Sequence, residues 1–345
     1  MTAIDTKLSS RPGTVDMTHG GGGRAMAELI RDLFQRYLGN PILAEGNDGA
    51  LLHVPAGRLV MSTDGHVVSP LFFPGGDIGC LAIHGTLNDV AMMGARPLYL
   101  TAAFIIEEGF PLADLERIVR SMGEAARAVG VPVVTGDTKV VEKGKGDGVF
   151  ITTTGLGVVP DGVSIGGDRA RPGDAILLSG SIGEHGIAIL SKRECLEFET
   201  EIASDTAALH GLVADMLATV PDIRVLRDPT RGGLAATLNE IAHQSGVGMQ
   251  LIERAVPLRP DVAAACELLG LDPLTIANEG KLIAIVPDAA ADRLLTAMRG
   301  HPLGREAARI GTVTADANRL IRLETVFGGS RIVDWLAGEQ LPRIC

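Results

Sequence analysis

Short apolar runs alternate with longer amphipathic segments through most of this chain, and that alternation restricts the fold class. The runs Leu59 to Ser62 and Lys281 to Val286 have the pattern of buried strands, whereas Leu112 to Val129 has apolar residues at helical spacing. Strands that alternate with helices predict a layered α/β or α+β domain. The chain has 345 residues, which is long for one hydrophobic core, so we expect two domains.

Turn residues and fading periodicity suggest where the domains begin and end. The run Arg171-Pro172-Gly173-Asp174 is a turn signature that opens a second unit. After residue 316 the apolar periodicity fades, and Gly328-Gly329-Ser330 interrupts the remainder. Gly328 and Gly329 could be hinges there, and an ordinary turn is the alternative. We therefore divide the chain into an arm with a glycine-rich loop (1–40), a first α/β domain (41–160), a second α/β domain (161–316) and a flexible tail (317–345).

The overall composition excludes several classes of protein. The chain has 31 basic and 42 acidic residues, and a net charge of −11 disfavours binding to a nucleic-acid backbone. It contains no apolar run of about 18 residues that could span a membrane, and its polar start lacks the apolar region of a signal peptide. Four cysteines without regular spacing favour a reducing compartment. We expect a cytoplasmic enzyme without a nucleic-acid or membrane partner.

Aspartates recur next to apolar segments. Asp64, Asp137 and Asp228 each follow an apolar run in a loop that contains Gly or Thr, and Asp89 lies in a largely apolar helical segment. A single aspartate of this kind is commonly a helix cap or a turn residue. Repetition predicts that the carboxylates converge on one crevice, where Mg²⁺ would bridge them and bind phosphate oxygens. No close His or Cys pair is present, which excludes a typical zinc site.

A glycine-rich loop and a lysine extend this pattern towards a nucleotide. The run His19-Gly20-Gly21-Gly22-Gly23-Arg24 precedes an amphipathic segment, and its free N–H groups could surround a phosphate. No Gly-Lys-Ser/Thr follows, so it is not a Walker loop, and a flexible linker is the alternative. Lys139, two residues after Asp137, could hold a phosphate as a point charge. Together these features predict a magnesium-nucleotide site.

The chain ends in Leu341-Pro342-Arg343-Ile344-Cys345, and a terminal thiol neither closes a loop nor fills a core. It could be an accident of where the chain stops. Pro342 stiffens the approach by fixing φ, and we expect Arg343 to favour the nucleophilic thiolate of Cys345. This spacing makes a thiol that carries a substrate possible.

These features together resemble the HypE family of hydrogenase maturation proteins, within the superfamily of aminoimidazole ribonucleotide synthetase and selenophosphate synthetase. The resemblance spans nearly the whole chain after the first eighteen residues. Its terminal motif is specific, because other members of the superfamily do not end in this cysteine. The matching motifs are His19 to Gly23, Pro70 to Gly79, Asn88-Asp89, Phe104 to Gly109, Thr135 to Val141, Asp228 to Gly233, Ala277 to Leu282 and Pro342 to Cys345.

The resemblance implies a fold, a reaction and partners. It implies an aminoimidazole ribonucleotide synthetase-like fold of two α/β domains, in which ATP binds at the crevice between the domains and the first, ATP-binding domain contributes strands to a homodimer. A carbamoyltransferase, HypF, would load a carbamoyl group onto the terminal cysteine. This protein would use ATP and Mg²⁺ to dehydrate that group to a thiocyanate. The cyano group would then pass, through a HypC–HypD scaffold complex, to the iron of a nickel–iron hydrogenase.

The resemblance also implies a role for particular residues. Cys345 would carry the substrate, Glu279 would act as the base and Lys139 would assist phosphoryl transfer; by residue type alone, Glu279 would be a solvated turn carboxylate. The implied nucleotide-binding residues are Gly20, Gly21, Gly22, Gly23, Asp64, Asp89, Asp137, Thr138 and Asp228. The implied metal ligands are Asp48, Asp64, Asp89, Asp137 and Asp228.

Two other functions are compatible with the sequence. A synthetase of the same superfamily could activate a diffusible amide or selenide, and Cys345 would then be irrelevant. Selenide chemistry would call for a cysteine or selenocysteine in the glycine loop, and His19 to Gly23 contains neither. A nucleotide-binding scaffold without turnover is the second alternative, and Lys139 and Glu279 argue against it.

Overall fold

The computed structural model describes residues 13–196, 201–335, 341 and 343–345. Within these, a four-stranded sheet forms the centre of the first domain, in the order β1-β6-β4-β5, with only β4 and β5 parallel. A separate two-stranded ribbon pairs β2 with β3. The strands are β1 (Arg58–His66), β2 (Phe72–Phe73), β3 (Gly76–Asp77), β4 (Arg96–Glu107), β5 (Val133–Val141) and β6 (Val149–Val159).

Helices cover one face of this sheet. They are α1 (Arg24–Leu29), α2 (Gln35–Leu38), α3 (Ile78–Met92) and α4 (Leu112–Val129), with a π-helical turn (Ile30–Phe34) and 3₁₀ turns (Met17–Gly20 and Leu43–Glu45). Helix α3 begins at Asp77, whose carboxylate accepts the Gly79 and Cys80 N–H groups at 2.8 and 3.1 Å. A Cβ at Gly79 would lie 2.2 Å from the Ile118 carbonyl oxygen, so glycine allows α3 and α4 to pack closely.

Among the described residues, no helix packs on the opposite face of the first sheet. Along β1, His66 is buried while Leu59 and Met61 are 57% and 71% exposed. Side chains alternate between the two faces of a strand, so Asp64 and His66 point towards α3 and Leu59 and Met61 point away from it. Ile105 of β4, 44% exposed, lies on the same uncovered face. We call this the uncovered face.

A seven-stranded sheet forms the second domain, in the order β13-β12-β9-β11-β7-β10-β8. Its pairs are antiparallel except β9 with β12. The strands are β7 (Ala175–Leu178), β8 (Val225–Arg227), β9 (Gly248–Ile252), β10 (Ile283–Val286), β11 (Ala308–Thr314), β12 (Ile321–Glu324) and β13 (Ser330–Ile332). The helices are α5 (Glu184–Arg193), α6 (His210–Thr219), α7 (Gly233–Ser245), α8 (Pro260–Leu269) and α9 (Asp288–Gly300), with 3₁₀ turns at Glu253–Ala255, Pro273–Thr275 and Pro302–Gly304. Among the described helices, none combines the length and apolar character that crossing a bilayer requires.

The two domains meet at Asn88, which is 1% exposed on α3. Its amide nitrogen donates to the carbonyl oxygens of Ala207 and Glu279 at 3.0 and 3.3 Å, and its amide oxygen accepts the Leu209 N–H at 2.8 Å. One side chain therefore fixes α3 of the first domain to two loops of the second.

The structure differs from the sequence predictions at three places. Strands β12 and β13 belong to the second sheet, so that sheet continues beyond residue 316, where we expected the tail to begin. Gly328 lies in the turn between these two strands, where its N–H donates to Thr325, rather than at a hinge. Residues of the expected arm, such as Leu29 and Leu33, are buried in the core of the first domain.

Two of the predicted strand-end aspartates lie inside strands. Asp64 is within β1, opposite Thr153, and Asp137 is within β5, opposite Ala103. Strand pairing uses backbone groups, so it continues through polar residues once a neighbouring strand is present. Asp228 does follow its strand, β8, as expected.

We predict that Asn88→Ala lowers the free energy of unfolding by about 2 to 4 kcal/mol, because it leaves buried backbone groups without partners. Urea denaturation followed by circular dichroism measures this loss. Asn47→Ala is the control, since Asn47 is exposed and bonds only to Glu45. Equal midpoints for the two variants would contradict the role of Asn88.

Candidate functional site

The last three residues pair with the chain that follows β1. Val68 and Ile344 form an antiparallel bridge, in which the Val67 N–H donates to the Cys345 carbonyl oxygen and the Ser69 N–H to that of Arg343, both at 3.0 Å. Ile344 is buried in the core between the domains. We call Arg343 to Cys345 the terminal segment; the rest of the predicted tail includes residues 336–340 and Pro342, which lie outside the described residues.

The terminal segment brings the Cys345 thiol within electrostatic range of the Glu279 carboxyl group. Burial is the main reason that the thiol pKa lies above its ordinary value, and the Glu279 and Asp64 carboxylates raise it further. Arg231 is the cation that opposes this rise. The docked thiol is therefore protonated at neutral pH and a poor nucleophile.

The prediction that Arg343 favours the Cys345 thiolate is wrong. The Arg343 guanidinium forms an ion pair with Asp147, in the loop between β5 and β6. The Asp147 carboxylate thus neutralises the Arg343 guanidinium, and the cation that lowers the pKa of the thiol is Arg231.

Glu279 lies in a loop that is held on both sides. The Asp205 carboxylate accepts the N–H groups of Glu279 and Gly280 at 3.0 and 3.2 Å and pairs with Lys281 at 3.0 Å. The preceding Asn278 donates to the Pro229 carbonyl oxygen at 2.9 Å. A Cβ at Gly280 would lie 1.9 Å from the Asp205 carbonyl oxygen, so only glycine allows this close approach.

The Glu279 carboxyl group itself is 4% exposed, and its Oε1 has no hydrogen-bond partner among the described residues. Burial raises its pKa well above the ordinary value, and the charge of Asp228 is the next cause. While its acidic neighbours are unneutralised, the Glu279 carboxyl group therefore holds its proton to higher pH than an ordinary glutamate does. A cation among those neighbours would favour the ionised form that a general base requires.

Three of the predicted aspartates come together near Glu279. The Ser62 hydroxyl donates to Asp89 at 2.7 Å, and Asp64 raises the pKa of Asp89 after the larger effect of burial. Burial, followed by the charge of Asp89, raises the pKa of Asp228 to about 7. Mutual repulsion of this kind is relieved when a cation binds between the carboxylates.

The predicted Mg²⁺ fits this cluster only if phosphate oxygens of a bound nucleotide complete its coordination. No group of three or more His, Cys, Asp or Glu side chains within residues 13–196, 201–335 and 343–345 is arranged to hold a metal ion by itself. Mg²⁺ usually keeps water, takes one or two carboxylates and completes its shell with phosphate oxygens. Asp64, Asp89 and Asp228 suit that mode of binding, whereas Asp48 is exposed in the loop between the Leu43–Glu45 turn and β1.

The structure does not bring Asp137 and Lys139 to this cluster. They form an ion pair at 2.9 Å on β5, and both are more than half exposed. In the register of the sheet, Asp137 is opposite Ala103 and Lys139 opposite Ile105, which lies on the uncovered face. Asp64 points to the other face, towards α3, so the predicted ligands are divided between two sides of one sheet.

The glycine-rich loop lies beside the C-terminal end of β5. Gly20 ends a 3₁₀ turn, and a Cβ there would lie 2.8 Å from the Val140 nitrogen. Gly23 precedes α1, and Gly21 and Gly22 connect the two. A cleft of about 250 Å³ lies between these first helices and β4 and β5. Its lining includes Met26, Phe34, Ala102, Phe104 and Thr138.

Sequence reasoning missed several residues of the site. Arg231 was within a recognised motif, Asp228 to Gly233, but its type alone did not indicate that it faces the thiol. Asp205 and His66 had no local signal. His66 is buried at the end of β1 and bonds to Thr153 at 3.1 Å, which requires the pairing of β1 with β6.

Comparisons with known proteins define the family. The sequence matches the AIR synthase related proteins, with the N-terminal domain over residues 46–159 and the C-terminal domain over residues 171–322. It is 70% identical over 340 residues to carbamoyl dehydratase HypE of Azotobacter vinelandii, covering 99% of this chain and 100% of the relative. The chain belongs to the HypE family.

Solved members of the HypE family have the same fold. The crystal structure of hydrogenase maturation protein HypE in complex with ATP has a TM-score of 0.93 and 53% identity, covering 96% of this chain and 99% of that one. A HypE–HypF complex contains a chain with a TM-score of 0.79 and 48% identity, covering 89% of this chain and 99% of that one. The predicted family resemblance and the two-domain α/β fold are thereby confirmed.

We predict that Asp228→Asn stabilises the protein at pH 7.5 and that this advantage shrinks by about 1 to 2 kcal/mol at pH 5.5. The folded pKa of Asp228 is about 7, above the unfolded value of about 4. The folded wild-type protein therefore gains a proton, and stability, as the pH falls through 7. Urea denaturation at both pH values measures the difference; an advantage that does not change with pH would contradict the raised pKa.

Proposed function

We propose that this protein dehydrates a carbamoyl group on its own Cys345 to a thiocyanate, using ATP, and so supplies a cyano ligand for nickel–iron hydrogenase. The observation that carries the proposal is the docking of the terminal segment against the residues after β1, with the Cys345 thiol within electrostatic range of the buried Glu279 carboxyl group. A synthetase for diffusible substrates would have no use for a terminal thiol in that position.

The reaction needs a leaving group and a base. The oxygen of an S-carbamoyl group leaves poorly, and transfer of the γ-phosphoryl group of ATP to that oxygen turns it into phosphate. Loss of phosphate breaks the C–O bond, and loss of the two N–H protons completes the C≡N bond. Glu279 is the candidate acceptor of a proton, because its buried carboxyl group is the charged group that acts most strongly on the Cys345 thiol. Its burial also excludes the water that would hydrolyse an activated intermediate.

ATP and Mg²⁺ have separate support. A relative 53% identical to this chain was crystallised with ATP, and we propose that ATP binds this protein too. Asp64, Asp89 and Asp228 would hold Mg²⁺ together with the phosphates, and the ion would neutralise charge that develops during phosphoryl transfer. This positive charge would also lower the pKa of Glu279, since Asp228 is a cause of its rise. The cleft beside Gly20 to Gly23 and Thr138 is the candidate site for the rest of the nucleotide.

Partners and location follow from the same reaction. We propose that HypF, which forms a complex with a chain 48% identical to this one, is the carbamoyltransferase that loads Cys345. A HypC–HypD complex would accept the cyano group. Assembly of a metal centre with free thiols favours the cytoplasm.

The uncovered face supports a homodimer. Leu59, Met61 and Ile105 expose apolar surface there, and a second copy of the first domain would cover it. Asp137 and Lys139 lie on the same face. A second copy would therefore bury the Lys139 ammonium group. Lys139 would then assist phosphoryl transfer at the contact between the two copies.

We predict that Cys345→Ser abolishes cyano-group formation and leaves ATP binding intact, because an oxygen atom cannot yield a thiocyanate. Glu279→Gln should accept the carbamoyl group and stall there, because the amide keeps the shape of the side chain and loses the base. Intact-mass spectrometry with carbamoyl phosphate, ATP and HypF distinguishes the carbamoylated chain from the chain that has lost one water.

Cys195→Ser is the matched control for this experiment, because Cys195 is an exposed cysteine of the second domain. It should form the thiocyanate at the wild-type rate. Normal delivery of cyanide by a chain that lacks Cys345 would refute the proposed reaction.

We predict that Met61→Asp converts the dimer to a monomer, since a charge at this position would be buried without a partner in the contact. Sedimentation velocity at micromolar concentration measures the change. Leu268→Asp is the control, because Leu268 is 75% exposed on α8 of the second domain. A monomeric wild-type protein, or a dimer that survives Met61→Asp, would count against the uncovered face as the contact.

A further inference from the structure

Each of the last three main-chain carbonyl groups has a donor. Arg193, at the end of α5, donates from Nη2 to the Arg343 carbonyl oxygen at 2.9 Å, and from Nε and Nη2 to the Ser69 carbonyl oxygen at 2.9 and 2.7 Å. The Ser69 N–H also donates to Arg343. One guanidinium group therefore joins the terminal segment to the strand residue with which it pairs.

His185, at the other end of α5, binds the next carbonyl group. Its Nε2 lies 2.5 Å from the Ile344 carbonyl oxygen, and its Nδ1 lies 2.8 Å from the Ser204 hydroxyl. A carbonyl oxygen only accepts, so Nε2 carries the proton and the Ser204 hydroxyl donates to Nδ1. The imidazole is fully buried, and Phe73 packs edge-on against it. Departure of the terminal segment would leave a buried Nε2–H without an acceptor.

The same short segment supports both the terminal segment and Glu279. Ser204 holds the tautomer of His185, and the next residue, Asp205, accepts the N–H groups of Glu279 and Gly280. Two neighbouring residues thus fix the position of the tail and the position of the candidate base relative to each other. Among the described residues, the donors to the last three carbonyl groups bond to the main chain and not to the Cys345 sulfur. The sulfur can therefore carry a group while the main chain is held.

We propose that His185 and Arg193 form a latch, acting as positioning residues that hold the main chain of the terminal segment so that the group on Cys345 meets Glu279. The purpose of the latch rests on the proposed dehydration, whereas the experiment that tests the latch does not require that reaction. Recognition is through backbone carbonyl groups, so the latch does not depend on the side chain at position 345. Loading by another protein requires this latch to open, because docking holds the thiol partly buried against the core of the first domain.

Alkylation of Cys345 by iodoacetamide tests the latch without catalysis. Its rate, measured on the terminal peptide by mass spectrometry and divided by the rate in the denatured chain, reports how often the terminal segment is released. Arg193→Lys keeps the charge but loses the fork that spans two carbonyl groups, and we expect alkylation about tenfold faster. His185→Phe keeps the ring and loses the donor, with a similar increase. His185→Gln, whose amide can donate, should fall between His185→Phe and the wild-type protein.

Lys192→Met is the matched control, since Lys192 is the exposed neighbour of Arg193 on the same helix. It should alkylate at the wild-type rate. If His185→Phe fails to fold, Arg193→Lys alone decides, because its side chain is only partly buried. Unchanged alkylation in Arg193→Lys, or an equal increase in Lys192→Met, would overturn the latch.

A second measurement separates the latch from the proposed function. Cyanate converts the Cys345 thiol to its S-carbamoyl derivative, and conversion to the thiocyanate is then followed with ATP. Arg193→Lys should slow this step about tenfold and leave ATP binding unchanged. Faster alkylation with undiminished dehydration would overturn the positioning role. If the wild-type protein itself forms no thiocyanate, the proposed function fails, and the alkylation result still decides whether the latch exists.

Discussion

The burial of Glu279 is the constraint on which the rest of this site depends. A carboxyl group that is 4% exposed and lacks a partner for one oxygen costs free energy, and the loop would not stay there unsupported. Asp205 holds its backbone, Asn88 binds its carbonyl oxygen from the other domain, and Gly280 permits the close approach. The contact between the domains therefore serves to keep one acidic group out of water.

The acidic cluster explains how this group can change its protonation state. Asp228 raises the pKa of Glu279, and Asp89 and Asp64 raise that of Asp228, so without a cation these carboxyl groups hold their protons to higher pH than isolated ones would. A cation bound among these carboxylates would oppose that rise and favour the ionised form of Glu279. Binding of the nucleotide and activation of the base would thus be one electrostatic event.

The terminal segment contributes a second kind of order. Its carbonyl groups are bound by main-chain N–H groups, an imidazole and a guanidinium, and Ile344 fills a buried position between the domains. A segment held by its backbone keeps its place whatever the sulfur carries. That property suits a terminal thiol that must be loaded, converted and emptied.

The sequence by itself determined the α/β class, because apolar periodicity is a local property: α4 begins and ends at the predicted Leu112 and Val129. It also determined the family, because each motif, including the one that ends in the terminal cysteine, is a short run of consecutive residues that can be read directly from the sequence. Only the tertiary structure decided which aspartates meet, since Asp64 and Asp137 have similar local sequences but point to opposite faces of one sheet. It also decided that Arg231 rather than the neighbouring Arg343 faces the thiol, because charges act across space and Asp147 takes Arg343 away. His185 and Arg193 join residues far apart in the chain, and no local pattern records such a contact.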